Sequence, residues 1–311
     1  MRDLHLAVAT DAAYLPFAAT TLLSAVRATT GPVVAHLQHT ADVTDADLRR
    51  LDGALAAAGG TLEAHLLEAS ALGELPPAVT AHGGAISCAR FLLPEVLGAL
   101  DRVLYLDADT LVLASLRPLW ETDLEGQQLG AVRNVVHPEM HPRLRALGLD
   151  PQRYLNSGVL LMDLAAMRAH GTGAALVECV QRQGEQLLWV DQDALNLVHA
   201  DGWHELAPGW NAQNSFWSWQ PMAREVLGAA ALDAAVHAPA VRHFEGPGIC
   251  KPWHYLCPFP HTRDYRQALQ ETPWGDHPLH GRSAGHVIVR RLPRRHWVAA
   301  HLWLQRRGLA G

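Results

Sequence analysis

The first hundred residues alternate strand-like and helix-like segments, and that order limits the fold more than any other feature of the chain. "LHLAVAT" (4–10) reads as a strand, and the pattern from Pro16 to about Thr29 as a helix. "VVAHLQH" (33–39) is a second strand, and "DVTDADLRRLDGALAAAGG" is a helix closed by Gly59 and Gly60. "TLEAHLL" (61–67) is a third strand. "SCARFLLPEVLGAL" is helical, and Pro94, which removes a backbone donor, divides it into two short helices. Then comes "RVLYLD". This order predicts an α/β fold with a Rossmann-like, mostly parallel sheet flanked by helices on both faces. "QLGAVRNV", "NSGVLLMDL" and "AVRHF" are later strand candidates. No G-x-G-x-x-G follows the first strand, so a dinucleotide fingerprint is absent. No repeat is evident, and no domain boundary before about residue 270.

In such sheets ligands gather outside the C-terminal ends of the strands. Asp11 and Asp107 both fall there. The second belongs to "RVLYLDADTLVL" (102–113), where two carboxylates one residue apart end an apolar strand. Unpaired charge is expensive in that place. In an extended chain, residues i and i+2 point the same way, so Asp107 and Asp109 converge on one cation with Ala108 turned aside. Two hard oxygen donors suit Mg²⁺ or Mn²⁺. The alternative is a pair of turn or cap aspartates.

Composition narrows the class. With 49% hydrophobic and 18% charged residues in 311, the chain can bury a large core. No window approaches the roughly 18–20 apolar residues of a membrane span. "MRDLHLAVATD" meets Asp11 too early for a signal peptide and reads as the first strand. Cys88, Cys179, Cys250 and Cys257 form no C-x-x-C pair, so reduced thiols in the cytoplasm are expected.

The net charge of −6 is unevenly spread. From His286 onward stand Arg290, Arg291, Arg294, Arg295, Arg306 and Arg307 and no acid, leaving 19 basic against 31 acidic groups in the body. The tail suits a helix on an anionic membrane surface, or one docked on the body with its arginines outward. Nucleic acid fits poorly, because the basic groups are confined to one end. Lys251 is the only lysine among 25 basic residues. The second half is loaded with Trp and Pro, as in "WHELAPGWNAQNSFWSWQP" and "GPGICKPWHYLCPFP". Such stretches pack a core or line a sugar-binding surface.

"LYLDADTL" matches the first motif of haloacid-dehalogenase-type phosphatases, but the late acidic pair of that class is missing and the only lysine is Lys251. The same stretch resembles the metal motif of glycosyltransferase family 8, which includes glycogenin and bacterial lipopolysaccharide galactosyl- and glucosyltransferases. That resemblance continues in order through "VATDAAYLPFAATTLLSAV", "ISCARFLLPEVL", "YLNSGVLLMDL", "WVDQDALN", "LAPGWNAQ" and "RHFEGPGICKPW".

The resemblance implies a GT-A fold and a metal-dependent retaining transferase. Such an enzyme moves galactose or glucose from a UDP-sugar to a saccharide or glycolipid acceptor in α-linkage. Asp107, Asp109 and His243 are implied to hold Mn²⁺ or Mg²⁺. Ala9, Thr10, Asp11 and Tyr14 are implied to meet the nucleotide, with uracil near Asp11 and Tyr14. Arg90, Ala108, Asn156, Ser157, Asp191, Gln192, Gly246 and Lys251 are implied to surround the donor, with Lys251 on the diphosphate. Gln192 and Asp191 are the catalytic candidates, and Asp193 is a further carboxylate of the right type for a double displacement. Front-face attack with Gln192 supporting positive charge at the anomeric carbon is the favoured route.

Residues 1–270 would form the catalytic domain and 271–311 a basic helical tail at the inner face of the membrane. Two departures from the family pattern stand out. Ala13 replaces a common Asn before the opening Tyr, and the loop between Gly246 and Lys251 is longer than usual, which would bulge Ile249 and Cys250 toward the acceptor. The rival functions are the phosphatase on Asp107/Asp109 and a nucleotide-sugar binder without turnover.

Overall fold

In the computed structural model, which describes residues 2–80, 84–293 and 296–306, the expected alternation is present. Strands β1 (Leu4–Thr10), β2 (Val33–His39) and β3 (Thr61–Leu66) run parallel. Helix α1 (Leu15–Ala28) carries Pro16 in its first turn, where the missing N–H is not needed. Helix α2 (Asp45–Ala57) begins at a reciprocal Thr44–Asp47 capping box. The segment before the next strand is two short helices, Gly84–Cys88 and Leu93–Val96. A 3₁₀ turn at Ala89–Leu92 separates them, and Pro94 sits in the first turn of the second helix instead of at the break.

The later strands are β4 (Arg102–Leu106), β5 (Thr110–Val112), β6 (Leu129–Arg133), β7 (Leu155–Asp163), β8 (His204–Glu205) and β9 (Val241–His243). Among the described residues, seven form one sheet in the order β3-β2-β1-β4-β7-β6-β8. Strand β7 runs antiparallel to both its neighbours, β4 and β6. Its direction matters for the site. The start of β7 lies beside the end of β4, and the Asp107 N–H donates to the Gly158 carbonyl at 2.9 Å.

The strand expected in "AVRHF" does not join this sheet. After Asp107 the chain turns, and β5 leaves the sheet plane to pair antiparallel with β9, setting Thr110 opposite His243. A residue 136 positions downstream of Asp107 is thereby brought next to the carboxylates.

At its centre the sheet is apolar on both faces, as buried strands require. Leu4, Leu6, Val8, Leu37 and Leu104 pack with α1 and α2 residues on one side. Ala7, Val103, Tyr105, Leu160 and Met162 pack on the other with helices Thr172–Gln183 and Val190–Val198.

Beyond helix Thr262–Gln270 the chain stays on the body: the Tyr255 N–H donates to the His280 carbonyl at 2.8 Å, and the His280 N–H to that of Trp253 at 2.9 Å. Helices Ala284–Val289 and Trp297–Arg306 follow. Val289 and Trp297 share an apolar cluster with Ile249 and Leu256, and His286 Nε2 lies 3.0 Å from His301 Nδ1. The long Gly246–Lys251 loop therefore turns Ile249 toward the tail, correcting the expectation that it bulges to the acceptor side. Arg290 and Arg291 are exposed; Arg294, Arg295 and Arg307 lie outside the described residues. Among the described residues, no helix is long and apolar enough to cross a membrane.

Candidate active site

The carboxylate pair stands on a turn, not on an extended strand. The Thr110 N–H donates to the Asp107 carbonyl at 3.2 Å and Thr110 Oγ1 does so at 2.9 Å. Convergence thus comes from the turn and not from strand alternation. The Phe244 N–H donates to the Asp109 carbonyl at 3.0 Å, which ties the turn to β9. His243 Nε2 lies 3.3 Å from Asp109 Oδ1 and 3.7 Å from Asp107 Oδ2. One ligand atom from each of the three residues falls within 4.8 Å of the others.

The orientation of His243 is fixed from behind. Its Nδ1 lies 3.0 Å from Asn211 Oδ1, an oxygen that only accepts, so Nδ1 carries a hydrogen and Nε2 is the nitrogen turned to the carboxylates. Asn211 Nδ2 in turn donates to Asn156 Oδ1 at 2.8 Å. Gly158 leaves room for the ring: a Cβ there would meet His243 Cε1 at 2.2 Å. Lys251 Nζ pairs with Asp109 Oδ2. Burial opposes charge on each of these groups, yet their pairing prevails. Lys251 and His243 hold Asp109 well below the usual carboxylate range, while Asp109 holds both cations above theirs.

Arg90 lies beneath this group, 3% exposed, and does not line the cleft. Its guanidinium donates to the carbonyls of Ser87 (2.8 Å) and Ser157 (2.6 Å) and to Asp107 Oδ1 (2.8 Å), and stacks 4.3 Å from the Tyr105 ring centroid. The Tyr105 hydroxyl donates to the same Asp107 oxygen at 3.1 Å. Arg90 Nη1 is also 3.2 Å from Asp191 Oδ2, an oxygen that is buried without a hydrogen bond. Burial raises the Asp191 carboxyl despite that arginine.

Above the carboxylates opens a cleft of about 480 Å³, lined by Asn156, Ser157, Asp191, Gln192, Trp189 and Trp219 among others. Gln192 Oε1 accepts from the Ser157 N–H at 3.1 Å. Gly246, in the left-handed region at φ 88°, lines the cleft beside Cys250.

A second cleft of about 390 Å³ contains Tyr14, Trp253, His254 and His280, and Lys251 lines both. Tyr14 is half exposed, its ring edge-on to Trp253, which stacks on Phe17 at 3.6 Å. Asp11 Oδ1 caps the Tyr14 N–H at 2.8 Å. Ala9 and Thr10 are buried at the end of β1, and Ala13 is exposed. The Ala108 carbonyl accepts from Thr21 Oγ1 at 3.1 Å.

Asp193 is not a nucleophile in this arrangement. It is fully buried, paired with Arg143 at 2.5 Å, and accepts from Tyr154 Oη at 2.6 Å and the N–H groups of Leu188 and Trp189. It closes the start of its own helix. Three contributors were missed in the sequence: Asn211, Tyr105 and Glu245. Tyr105 had a local signal, its place near the end of β4 two residues before Asp107. Glu245 accepts from the Ser215 N–H at 3.0 Å and lines the cleft, and neither fact has a local sequence signal.

Known proteins resemble this chain over most of its length. It is 28% identical over 190 residues to general stress protein A of Bacillus subtilis (strain 168), covering 60% of this chain and 65% of that protein. It is 24% identical over 214 residues to a lipopolysaccharide 1,2-glucosyltransferase of Escherichia coli (strain K12), covering 68% of this chain and 61% of that one. The matches thus span less than two thirds of those relatives' length. In fold it resembles the galactosyltransferase LgtC, solved with donor and acceptor sugar analogues, with a TM-score of 0.76 at 24% identity over 87% of this chain and 96% of that one. The glycosyltransferase GlyE of Streptococcus pneumoniae TIGR4 follows, with a TM-score of 0.65 at 21% identity over 86% and 60%. The Rossmann-like, mostly parallel sheet read from the strand order is observed, and it matches the GT-A architecture that the family resemblance implied. The sequence model of glycosyl transferase family 8 matches residues 5–257, and the chain belongs to that family.

Proposed function

We propose that the chain is a metal-dependent retaining hexosyltransferase. It would take galactose or glucose from a UDP-sugar and place it in α-linkage on a saccharide or glycolipid acceptor. The observation that carries this reading is the convergence of Asp107, Asp109 and His243 at the floor of a cleft that shares Lys251 with a second one beside Tyr14. The donor set of two carboxylate oxygens and one oriented imidazole nitrogen fits a divalent cation such as Mn²⁺ or Mg²⁺. When bound there, the ion supplies Lewis-acid neutralisation of the diphosphate leaving group.

The protein's own groups do the rest. Tyr14, held edge-on by Trp253, offers aromatic surface to uracil in the second cleft. Lys251, which pairs with Asp109 beside the carboxylate turn, would offer its ammonium to the leaving diphosphate as a point charge. Arg90, clamped by two carbonyls, positions Asp107 and Asp191 from below. Asp191, held from below by Arg90, and Gln192 line the cleft, where they would orient the hexose hydroxyls. The Ser157 N–H fixes Gln192 so that its dipole stabilises positive charge at the anomeric carbon during front-face attack.

Similarity to lipopolysaccharide transferases supports a glycolipid acceptor, and four free thiols support a cytoplasmic setting. Arg290 and Arg291, with exposed Ile288, Leu292 and Val298, form a basic and apolar surface suited to anionic lipid. Equal sedimentation with anionic vesicles by the full chain and by a truncation at Gly285 would remove that attachment. The transfer reaction is tested with a UDP-sugar panel and Mn²⁺, scored for UDP release. Release must vanish in Asp107→Asn and Asp109→Asn, and must fall in Gln192→Ala. Phosphate release from simple esters without a nucleotide sugar would overturn the reading in favour of a phosphatase. UDP binding without turnover across the panel would leave only a binder.

A further inference from the structure

Three histidines stand side by side on neighbouring strands, away from the cleft. His5 is on β1, His36 on β2 and His65 on β3, with Glu63 opposite His36 in register. His5 Nδ1 lies 2.9 Å from His36 Nε2. On the other side of the ring, His36 Nδ1 lies 3.1 Å from His65 Nε2 and 3.3 Å from Glu63 Oε2. One ligand atom each from His36, Glu63 and His65 falls within 4.8 Å of the others. His36 is buried, His65 half-buried and Glu63 exposed, so the group opens to solvent on one side. Glycosyl transfer as derived above uses none of these residues.

The sheet alone does not explain the cluster. Interior parallel strands carry aliphatic side chains on both faces, yet the interior strands β1 and β2 place His5 and His36 on one of them, next to His65 of the edge strand β3. A neutral His36 offers at most one hydrogen at Nδ1, and a Glu63 carboxylate oxygen offers none.

Distance supplies a second argument. Metal bonds of about 2.0–2.1 Å at the tetrahedral angle separate two ligand atoms by roughly 3.3 Å. The separations from His36 Nδ1, 3.1 and 3.3 Å, are those of such an edge.

We propose that His36, Glu63 and His65 bind a divalent transition cation of the zinc, nickel, copper or cobalt class, with His5 as the outer partner that orients His36. Two imidazoles and a carboxylate select these ions over Mg²⁺, which the all-oxygen preference of that ion disfavours here. By accepting the His36 Nε2 hydrogen, His5 leaves Nδ1 as the ligand atom. The ion would tie the edge strand β3 to β2.

The test uses the untagged full chain carrying Asp107→Asn and Asp109→Asn, which removes the other candidate cation site. Calorimetric titration with Zn²⁺ should give one ion per chain, undiminished by excess Mg²⁺. Bound Cu²⁺ should show nitrogen hyperfine coupling from two imidazoles. His65→Ala and Glu63→Gln, both on the open side, should each weaken Zn²⁺ at least as much as the roughly 10- to 100-fold that loss of an outer partner costs, and His5→Gln by about that amount. Zinc should raise the melting temperature of this background and leave that of the added His65→Ala variant unmoved. No Zn²⁺ binding in the Asp107→Asn/Asp109→Asn chain, or unchanged affinity after His65→Ala in a folded protein, would overturn the site.

Discussion

Gly158→Ala is the smallest change that separates the metal floor from the fold around it. Gly158 is wedged between two candidate ligands, with its carbonyl on the Asp107 N–H and its missing side chain facing the His243 ring. An added Cβ would sit 2.2 Å from Cε1 and 2.6 Å from Nδ1, about 1.2 Å inside the 3.4 Å at which ordinary contact begins. The ring must move by about that much, which breaks the 3.0 Å bond to Asn211 and turns Nε2 away from Asp109. Overpacking of this kind costs about 1–3 kcal/mol of stability. A misplacement of about 1 Å in a reacting constellation costs roughly 100-fold in rate, or about 2.7 kcal/mol. Mn²⁺-dependent UDP release should therefore fall by roughly that factor, and the Mn²⁺ midpoint should rise about 10- to 100-fold. In a His243→Ala background the same substitution should lose most of its stability cost, since the clash has gone. A folded Gly158→Ala enzyme with wild-type turnover and Mn²⁺ midpoint would refute the assignment of His243.

Two further outcomes follow from the carboxylate and histidine clusters. Asp193→Asn gives up charge-assisted bonds to Arg143 and Tyr154, so urea unfolding should show a loss of about 1.5–3 kcal/mol with turnover per folded molecule near wild type; a selective collapse of turnover would restore Asp193 as a catalytic candidate. His254, facing His280, His286, His301 and Arg266, is pushed down to about 4 by burial and by those neighbours. Its folded value lies below the ordinary 6.5, so its contribution is complete above about pH 6.5 and is lost as pH falls toward 4. Amide protection across residues 284–306 should then drop between pH 7.5 and 5, and equal protection factors at both would contradict this.

The order of elements was legible because periodicity and terminators are local. Thr44 and Asp47, Gly59, and the apolar runs of β1 to β4 each carry their own signal. Direction is not local. "NSGVLLMDL" is equally apolar whichever way it runs, so nothing in it foretold that β7 lies antiparallel to β4. "AVRHF" likewise shows a strand without naming its partner, and the three residues of β5 that receive it are too few to show a period.

The site divides along the same line. Asp107, Asp109, His243 and Lys251 were readable as a set only through their order along the chain, because 136 residues separate the first carboxylate from the imidazole. Asp191 and Asp193 look interchangeable in "VDQDALN", but two residues along a helix turn the side chain by about 200°. One carboxylate therefore meets Arg90 and the cleft, and the other meets Arg143 and Tyr154 away from it. The two cations differ in a way the sequence did announce. A buried arginine holds its position by forking onto fixed acceptors, as Arg90 does on Ser87, Ser157 and Asp107. A lysine in a loop carries the same charge on a flexible stem with no fork to satisfy. In a chain that otherwise uses arginine for its permanent positive charges, the one lysine pairs with Asp109 at the candidate metal site.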